Sequence, residues 1–222
     1  MRVALNGKMA SGKSTTVAEL KKLYQLQVVS IGNEIKPLAA SLIENKKLFE
    51  ERIRRVIPNR LERESSIKEI YQFFDKNFSD AHWETNKEGE YIKNPPYRKF
   101  LQEFAMLIRN HFGEDIFAKL MMERISSHQS FIICDDLRLP GEKELLEKHG
   151  FLIIRLDIAE EEQKRRLIKT YGAVDEEALK HRTEVALDHA TFDLRIDVTN
   201  KQIHEVAKEI ATYLKNVNGV KV

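Results

Sequence analysis

The chain of 222 residues has a single cysteine, Cys134, so it can form no internal disulfide, and this usage fits a reducing cytoplasm. Long apolar runs are also missing. Phe151-Leu152-Ile153-Ile154 is too short to cross a membrane, and the glycine at position 7 interrupts the apolar start at Val3-Ala4-Leu5, which argues against a signal peptide. No charge sign dominates: 37 basic and 35 acidic residues leave a formal charge of +2. That balance argues against a general nucleic-acid binder while leaving room for local basic pockets. The seven histidines show no metal-ligand spacing. Repeats and low-complexity segments are absent. Two motifs are absent as well: N-K-x-D and D-x-x-G are not placed as a GTPase needs them, and no glutamate directly follows Asp136 to activate water, as in many ATPases. What remains, an apolar fraction of 42%, is enough for one well-packed domain with a sizeable insertion.

The chain does carry a phosphate-binding loop. Gly7-Lys8-Met9-Ala10-Ser11-Gly12-Lys13-Ser14 fits G-x-x-x-x-G-K-[ST] without a mismatch. Arg2 to Asn6 read as a short buried strand before it. Thr15 to Leu23 read as a helix after it, with Val17, Leu20 and Leu23 at helical spacing. In such a strand–loop–helix, successive N–H groups face one concavity backed by the positive end of the helix dipole, which suits a polyphosphate. Gly7, Lys8, Ala10, Ser11, Gly12, Lys13, Ser14 and Thr15 are the expected contacts for ATP. Lys13 is expected along the β- and γ-phosphates, and the Ser14 hydroxyl on Mg²⁺.

Four further strand-like runs follow: 27–30, 131–134, 151–156 and 194–198. Helical patterns fill most gaps and end with Ile203 to Leu214. Strands separated by helices imply right-handed crossovers and a parallel α/β sheet. From about 33 to 127 no parallel strand is convincing. That region is charged and helical, broken by Pro58, by Asn86 to Gly89 and by Pro95-Pro96, and reads as an insertion; Glu84 to Ile92 fit a hairpin or a loop equally well. The expected organisation is one domain with its core at 1–32 and 128–222.

Ligands of open parallel sheets bind beyond the carboxyl ends of the strands, which selects further groups. Asp135 and Asp136 end the third strand, where a carboxylate orders the metal's waters; they alternate across the strand, so one of the two faces the metal. Arg138 can clamp a phosphate bidentately, or pair with Glu142 at the surface. After Pro95-Pro96, Leu101, Phe104, Ala105, Ile108 and Phe112 form an apolar stripe. Arg98 and Arg109, about three turns apart, share a face with Gln102 between them. Such a face either holds an acceptor phosphate or is merely solvated. Arg165, Arg166 and Lys169 lie before Gly172, and Asp175-Glu176-Glu177 opens another helix, so 165–177 read either as a short lid with basic residues turned inward or as a charged surface helix. Lys36 is a candidate acceptor contact. Trp83 and Tyr91 suit stacking on a base or simple packing.

Taken in order, these segments resemble the deoxynucleoside monophosphate kinase family of P-loop kinases. Ser30 to Lys36 resemble S-F-A-D-P-L-K. Arg98-Lys99-Phe100-Leu101-Gln102 with Arg109, Gly113 and Asp115 resemble R-x-x-L-Q-x-x-G-T-x-x-R-x-x-x-G-x-D. Asp136 to Glu142 resemble D-V-R-F-P-N-E, and Ala186-Leu187-Asp188 with Phe192-Asp193 and Asn200 resemble the C-terminal pattern. The departures fall near the expected acceptor pocket: Ala105-Met106 replace G-T, Asn33 replaces Asp, Leu139 replaces Phe and Gly141 replaces Asn. The resemblance implies a three-layer α/β P-loop kinase fold with a five-stranded parallel sheet, a mostly helical acceptor-binding insertion and a short lid. It also implies a homodimer. It gives the expectation of an ATP- and Mg²⁺-dependent kinase acting on a small deoxynucleoside monophosphate. Lys13, Asp136, Arg138 and Arg166 serve the chemistry, Ser14 and Asp136 serve the metal, and Lys36, Arg98, Gln102, Arg109 and Arg138 serve the acceptor. A dephospho-CoA kinase, a non-catalytic nucleotide-binding module and a nucleic-acid-end kinase are the alternatives. Neither a membrane nor a nucleic acid is an expected partner.

Overall fold

A computed structural model describes residues 1–77, 95–125 and 131–218. Glu84 to Ile92, Trp83 and Tyr91 lie outside the described residues. The chain divides into a sheet unit, Met1–Ile31 with Ile125–Val222, and a helical unit, Gly32–Arg124.

The sheet unit starts with β1 (Arg2–Gly7), α1 (Lys13–Leu23) and β2 (Gln27–Val29). The helical unit follows: a 3-10 turn at Gly32–Glu34, then α2 (Ile35–Glu44), α3 (Lys46–Val56), α4 (Arg60–Asn77), α5 (Pro95–Phe112) and α6 (Ile116–Arg124). The chain then returns to the sheet through β3 (Ile132–Cys134), α7 (Pro140–Lys148), β4 (Leu152–Asp157), α8 (Glu160–Tyr171), α9 (Glu176–Lys180), α10 (Arg182–Val185), β5 (Leu194–Asp197) and α11 (Ile203–Asn218).

The five strands are parallel, in the order β2-β3-β1-β4-β5. Val3, Ala4 and Leu5 are each fully buried, as a central parallel strand covered on both faces requires. On one face Val3, Leu5, Ile133, Ile154, Leu156 and Ile196 meet Val17 and Leu20 of α1 and Val206, Ile210 and Leu214 of α11. β5 keeps only Ile196 fully inside, as suits an edge strand. The chain reverses direction across the sheet at β1, which pairs with β3 on one side and β4 on the other. The crevice at the carboxyl ends of β1 and β3 is therefore the switch point where such sheets bind ligands.

The helical unit has its own core. Phe100 stacks with Phe104 at 5.8 Å and with Tyr97 at 6.5 Å, and meets the edge of Phe74 at 6.4 Å. Phe49 and Ile53, one turn apart on α3, are both fully buried. Among the described residues no helix is long and apolar enough to cross a membrane.

Candidate phosphate-binding site

The helix after the loop begins at Lys13, two residues earlier than the apolar spacing indicates, because Gly12 takes a left-handed conformation (φ 89°) and turns the chain straight into α1. A glycine N-cap offers no side chain, and no acid occupies the first turn of α1, so its leading N–H groups stay available to an external anion. Gly7 is equally constrained. A Cβ there would lie 2.6 Å from Ser11 Oγ and 2.7 Å from the Leu156 carbonyl oxygen, so no other residue fits. Ala10 is also left-handed (φ 60°), a conformation costing about 1 kcal/mol or more outside glycine. Inside the loop the Ser11 hydroxyl is buried and has no hydrogen-bond partner among the described residues.

Lys13 folds back over the loop. Its Nζ donates to the carbonyls of Gly7 at 2.6 Å and Lys8 at 3.1 Å. Burial, reinforced by Arg138 nearby, pushes its pKa down to about 7, while Glu184, Asp135 and Asp136 act in the opposite direction. A phosphate beside it would raise that value again. The Ser14 hydroxyl is exposed at the start of α1, and Thr15 Oγ1 donates to the Gly12 carbonyl at 2.8 Å.

The two strand-end acids separate clearly. Asp136 accepts from the Ile31 N–H at 2.7 Å and from the Ser30 hydroxyl at 2.6 Å, tying the end of β3 to the chain leaving β2. Among the described residues the Asp135 carboxylate bonds to no other residue, its one hydrogen bond running to its own backbone N–H. Its pKa is raised, by burial first and then by Asp136, while Lys13 works against the rise. The Asp135 carboxylate thus lies in the field of Lys13, whereas both oxygens of Asp136, the residue expected at the metal, already have partners. Ser14 and Asp135 are hard oxygen donors of the kind Mg²⁺ takes. Among the described residues no cluster of three or more acid, histidine or cysteine groups is arranged to hold a metal, so a Mg²⁺ here would arrive with phosphate oxygens.

Asn6 positions the next segment. Its Nδ2 donates to the Leu137 carbonyl at 2.8 Å, and its Oδ1 accepts from Arg155 Nη1 at 2.6 Å. Arg138 follows. The surface pair with Glu142 open at the sequence level does not form between the side chains. Glu142 instead accepts from the backbone N–H groups of Arg138 and Leu139, both at 3.1 Å, capping α7. The guanidinium of Arg138 pairs with Glu184, which also accepts from the Met9 N–H at 2.6 Å.

Of Arg165, Arg166 and Lys169 on α8, Arg166 alone turns to the loop. It donates to the Ala10 carbonyl at 3.4 Å and the Val198 carbonyl at 2.9 Å, and pairs with Glu162 at 2.6 Å. Arg165 also pairs with Glu162 but stays exposed, and Lys169 is exposed, since helical spacing turns neighbouring side chains to different faces. Asn6, Gln163, Arg155 and Glu184 drew no attention in the sequence; a buried polar residue without an obvious local partner was the available signal.

In the helical unit, Lys36 is exposed near the start of α2, and Arg98 and Gln102 are exposed on α5. Arg109 is half-buried, with its guanidinium 4.9 Å from the Phe117 ring centre.

No family model matches this chain, and no curated protein does. Among solved structures, the Thermus thermophilus protein TT1252 is 19% identical, with a TM-score of 0.48 over 97% of each chain. Shikimate kinase from Aquifex aeolicus is 16% identical, with a TM-score of 0.42 over the whole of both chains. Dephospho-CoA kinase from Campylobacter jejuni is 16% identical, with a TM-score of 0.43 over 97% of this chain and 96% of its own. Likeness at this level carries no argument about substrate.

Proposed function

We propose that the chain transfers the γ-phosphoryl group of ATP to a deoxynucleoside monophosphate, giving the diphosphate. The observation that supports this most is geometric: Glu184 joins the Arg138 guanidinium to the Met9 N–H, which puts that cation beside the loop over which Lys13 folds. A loop that grips one polyphosphate, with a forked cation at its lip for a second phosphate, suits phosphoryl transfer between phosphates.

In this reading Gly7, Lys8, Ala10, Ser11, Gly12, Lys13, Ser14 and Thr15 hold ATP. Lys13 leaves the Gly7 and Lys8 carbonyls for the β- and γ-phosphates. Ser14 and the Asp135 carboxylate would hold Mg²⁺ and its waters, and the ion would supply neutralisation of β/γ charge. Asp136, whose carboxylate accepts from Ser30 and Ile31, keeps the β2 and β3 ends together. Arg138 clamps the acceptor phosphate; Lys36, Arg98, Gln102 and Arg109 are taken as acceptor contacts from the family resemblance. Arg166, already on the Ala10 carbonyl, adds positive charge beside the loop. Rate acceleration comes from positioning and charge neutralisation, without a covalent intermediate.

A coupled assay tests this with ATP, MgCl₂ and each common ribo- and deoxyribonucleoside monophosphate, with dephospho-CoA as a parallel arm. The expected result is ADP formation with at least one deoxynucleoside monophosphate, and R138A raising the acceptor KM more than the ATP KM. Turnover with dephospho-CoA alone moves the acceptor from a phosphate to a hydroxyl and overturns the reading. ATP binding without transfer to any acceptor leaves a binding module.

A further inference from the structure

The geometry points to Glu184 as a positioning residue that sets both the guanidinium of Arg138 and the outer arm of the phosphate loop, an inference that rests on the reading above. Glu184 sits on α10, 46 residues beyond Arg138 and 175 beyond Met9, and its side chain is only 6% exposed. Both carboxylate oxygens are in use. Oε2 accepts from the Met9 N–H at 2.6 Å and Oε1 pairs with Arg138 Nη1.

The other side of Met9 is held too. Its carbonyl accepts from Nε2 of Gln163, a residue 3% exposed on α8, at 3.0 Å. Two buried side chains from different helices therefore fix the peptide groups of one loop residue. Four residues after Glu184, Asp188 repeats the pattern, pairing with Lys8 at 3.4 Å and Arg155 at 2.5 Å. Leu187, 2% exposed, anchors the segment between them. This is a docked element with its carboxylates spaced to take successive loop residues, not an acid resting in a seat that a phosphate must later clear.

The consequence for Arg138 follows from the guanidinium's shape. Glu184 occupies one corner, Nη1. Nε and Nη2 make no hydrogen bond to any described residue, so those donors remain for a phosphate. A long arginine side chain left unpaired samples many rotamers, and holding it by one corner removes that disorder before substrate arrives.

The test compares wild type, E184Q, R138A and the double variant, using acceptor kinetics and binding of a fluorescent Mg·ATP analogue. Gln keeps an oxygen for the Met9 N–H but removes the charge opposite Arg138. E184Q is expected to lower kcat/KM for the acceptor about 30-fold or more, while the analogue's Kd moves less than about threefold. Adding E184Q to R138A is expected to cost less than about twofold further, since the residue acts through Arg138. A wild-type kcat/KM in E184Q, or full additivity with R138A, overturns the inference. Tighter ATP-analogue binding with undiminished turnover overturns it as well, and makes Glu184 a resident anion. A readout independent of activity separates failure here from failure of the kinase reading: arginine side-chain NMR of the ligand-free protein. Hindered Cζ–Nε rotation at Arg138 in wild type, released in E184Q, supports the inference even if no acceptor is found. Equal rotation in both overturns it. If E184Q does not fold, E184D is read by the same NMR criterion.

Discussion

The sheet unit and the helical unit bury polar groups to different ends. In the sheet unit Asn6, Lys13, Arg155, Gln163 and Glu184 are buried close to the carboxyl ends of β1, β3 and β4; Lys13 bonds within its own loop, and the other four have partners far away in sequence. In the helical unit aromatic rings stack among aliphatic side chains, and the buried acid Glu34 pairs with the exposed arginine Arg124 at 2.8 Å. Buried polar groups cost stability unless fully partnered. A fold that gathers them at a strand-end crevice is therefore organised around charge handling, and one that buries rings is organised around cohesion. The loop at Gly7 to Ser14 belongs to the first kind; helix α5, which carries Arg98 and Arg109, belongs to the second.

The comparison is broken most severely at Lys13. K13A is expected to cut turnover about a thousandfold or more, read by the coupled assay, because the cation at the transferring phosphate is lost. Thermal unfolding should change little, since burying that ammonium is itself unfavourable. Next comes F104A in the helical unit, where a fully buried ring leaves a cavity. A loss of about 3–5 kcal/mol in denaturant unfolding is expected, with Mg·ATP-analogue binding by the sheet unit retained. If F104A abolishes analogue binding under native conditions, the two units are not separable in this way.

Third, D135N and D136N divide metal chemistry from strand-end cohesion. D135N is expected to lower kcat about 30-fold or more and shift the Mg²⁺ dependence to higher concentration, with the melting temperature held. D136N is expected to lower the melting temperature, because it weakens the contacts to Ser30 and Ile31. The reverse pattern restores Asp136 to the metal. Smallest is a pH effect at Glu34, whose pKa is raised, by burial more than Arg124 lowers it. Between the ordinary glutamate value and that raised value the folded state holds more protons than the unfolded one. Wild type therefore loses stability relative to E34Q as pH rises through that window. Chemical denaturation of both proteins from pH 4 to 7 measures the gap; a constant gap removes the claim.

How far the site was legible depended on how local its contacts are. Gly7, Gly12, Lys13 and Ser14 lie within eight consecutive positions, and backbone geometry ties that spacing to a cup of amides. Which of Asp135 and Asp136 is engaged at the end of β2 was not legible from alternation along a strand. It is Asp136, held by Ser30 and Ile31, 106 and 105 residues away. The partner of Arg138 was out of reach for the same reason. Glu142, the local choice, is taken by backbone N–H groups, and Glu184 arrives from a helix that sequence distance says nothing about. On α8 the helical period was available, yet which face meets the loop depended on docking, and only Arg166 met it.

By itself the sequence determined the alternation of strands and helices, the parallel sheet that alternation implies, and a phosphate cup at the end of the first strand. These follow from periodicity and from glycine's freedom in a tight turn, which are properties of neighbouring residues. Tertiary structure alone decided the order of strands around β1, the capture of Asp136 by the β2 end, and the grip of Glu184 on Met9 and Arg138. A carboxylate carries no record of which distant donor will desolvate beside it until folding brings the two together.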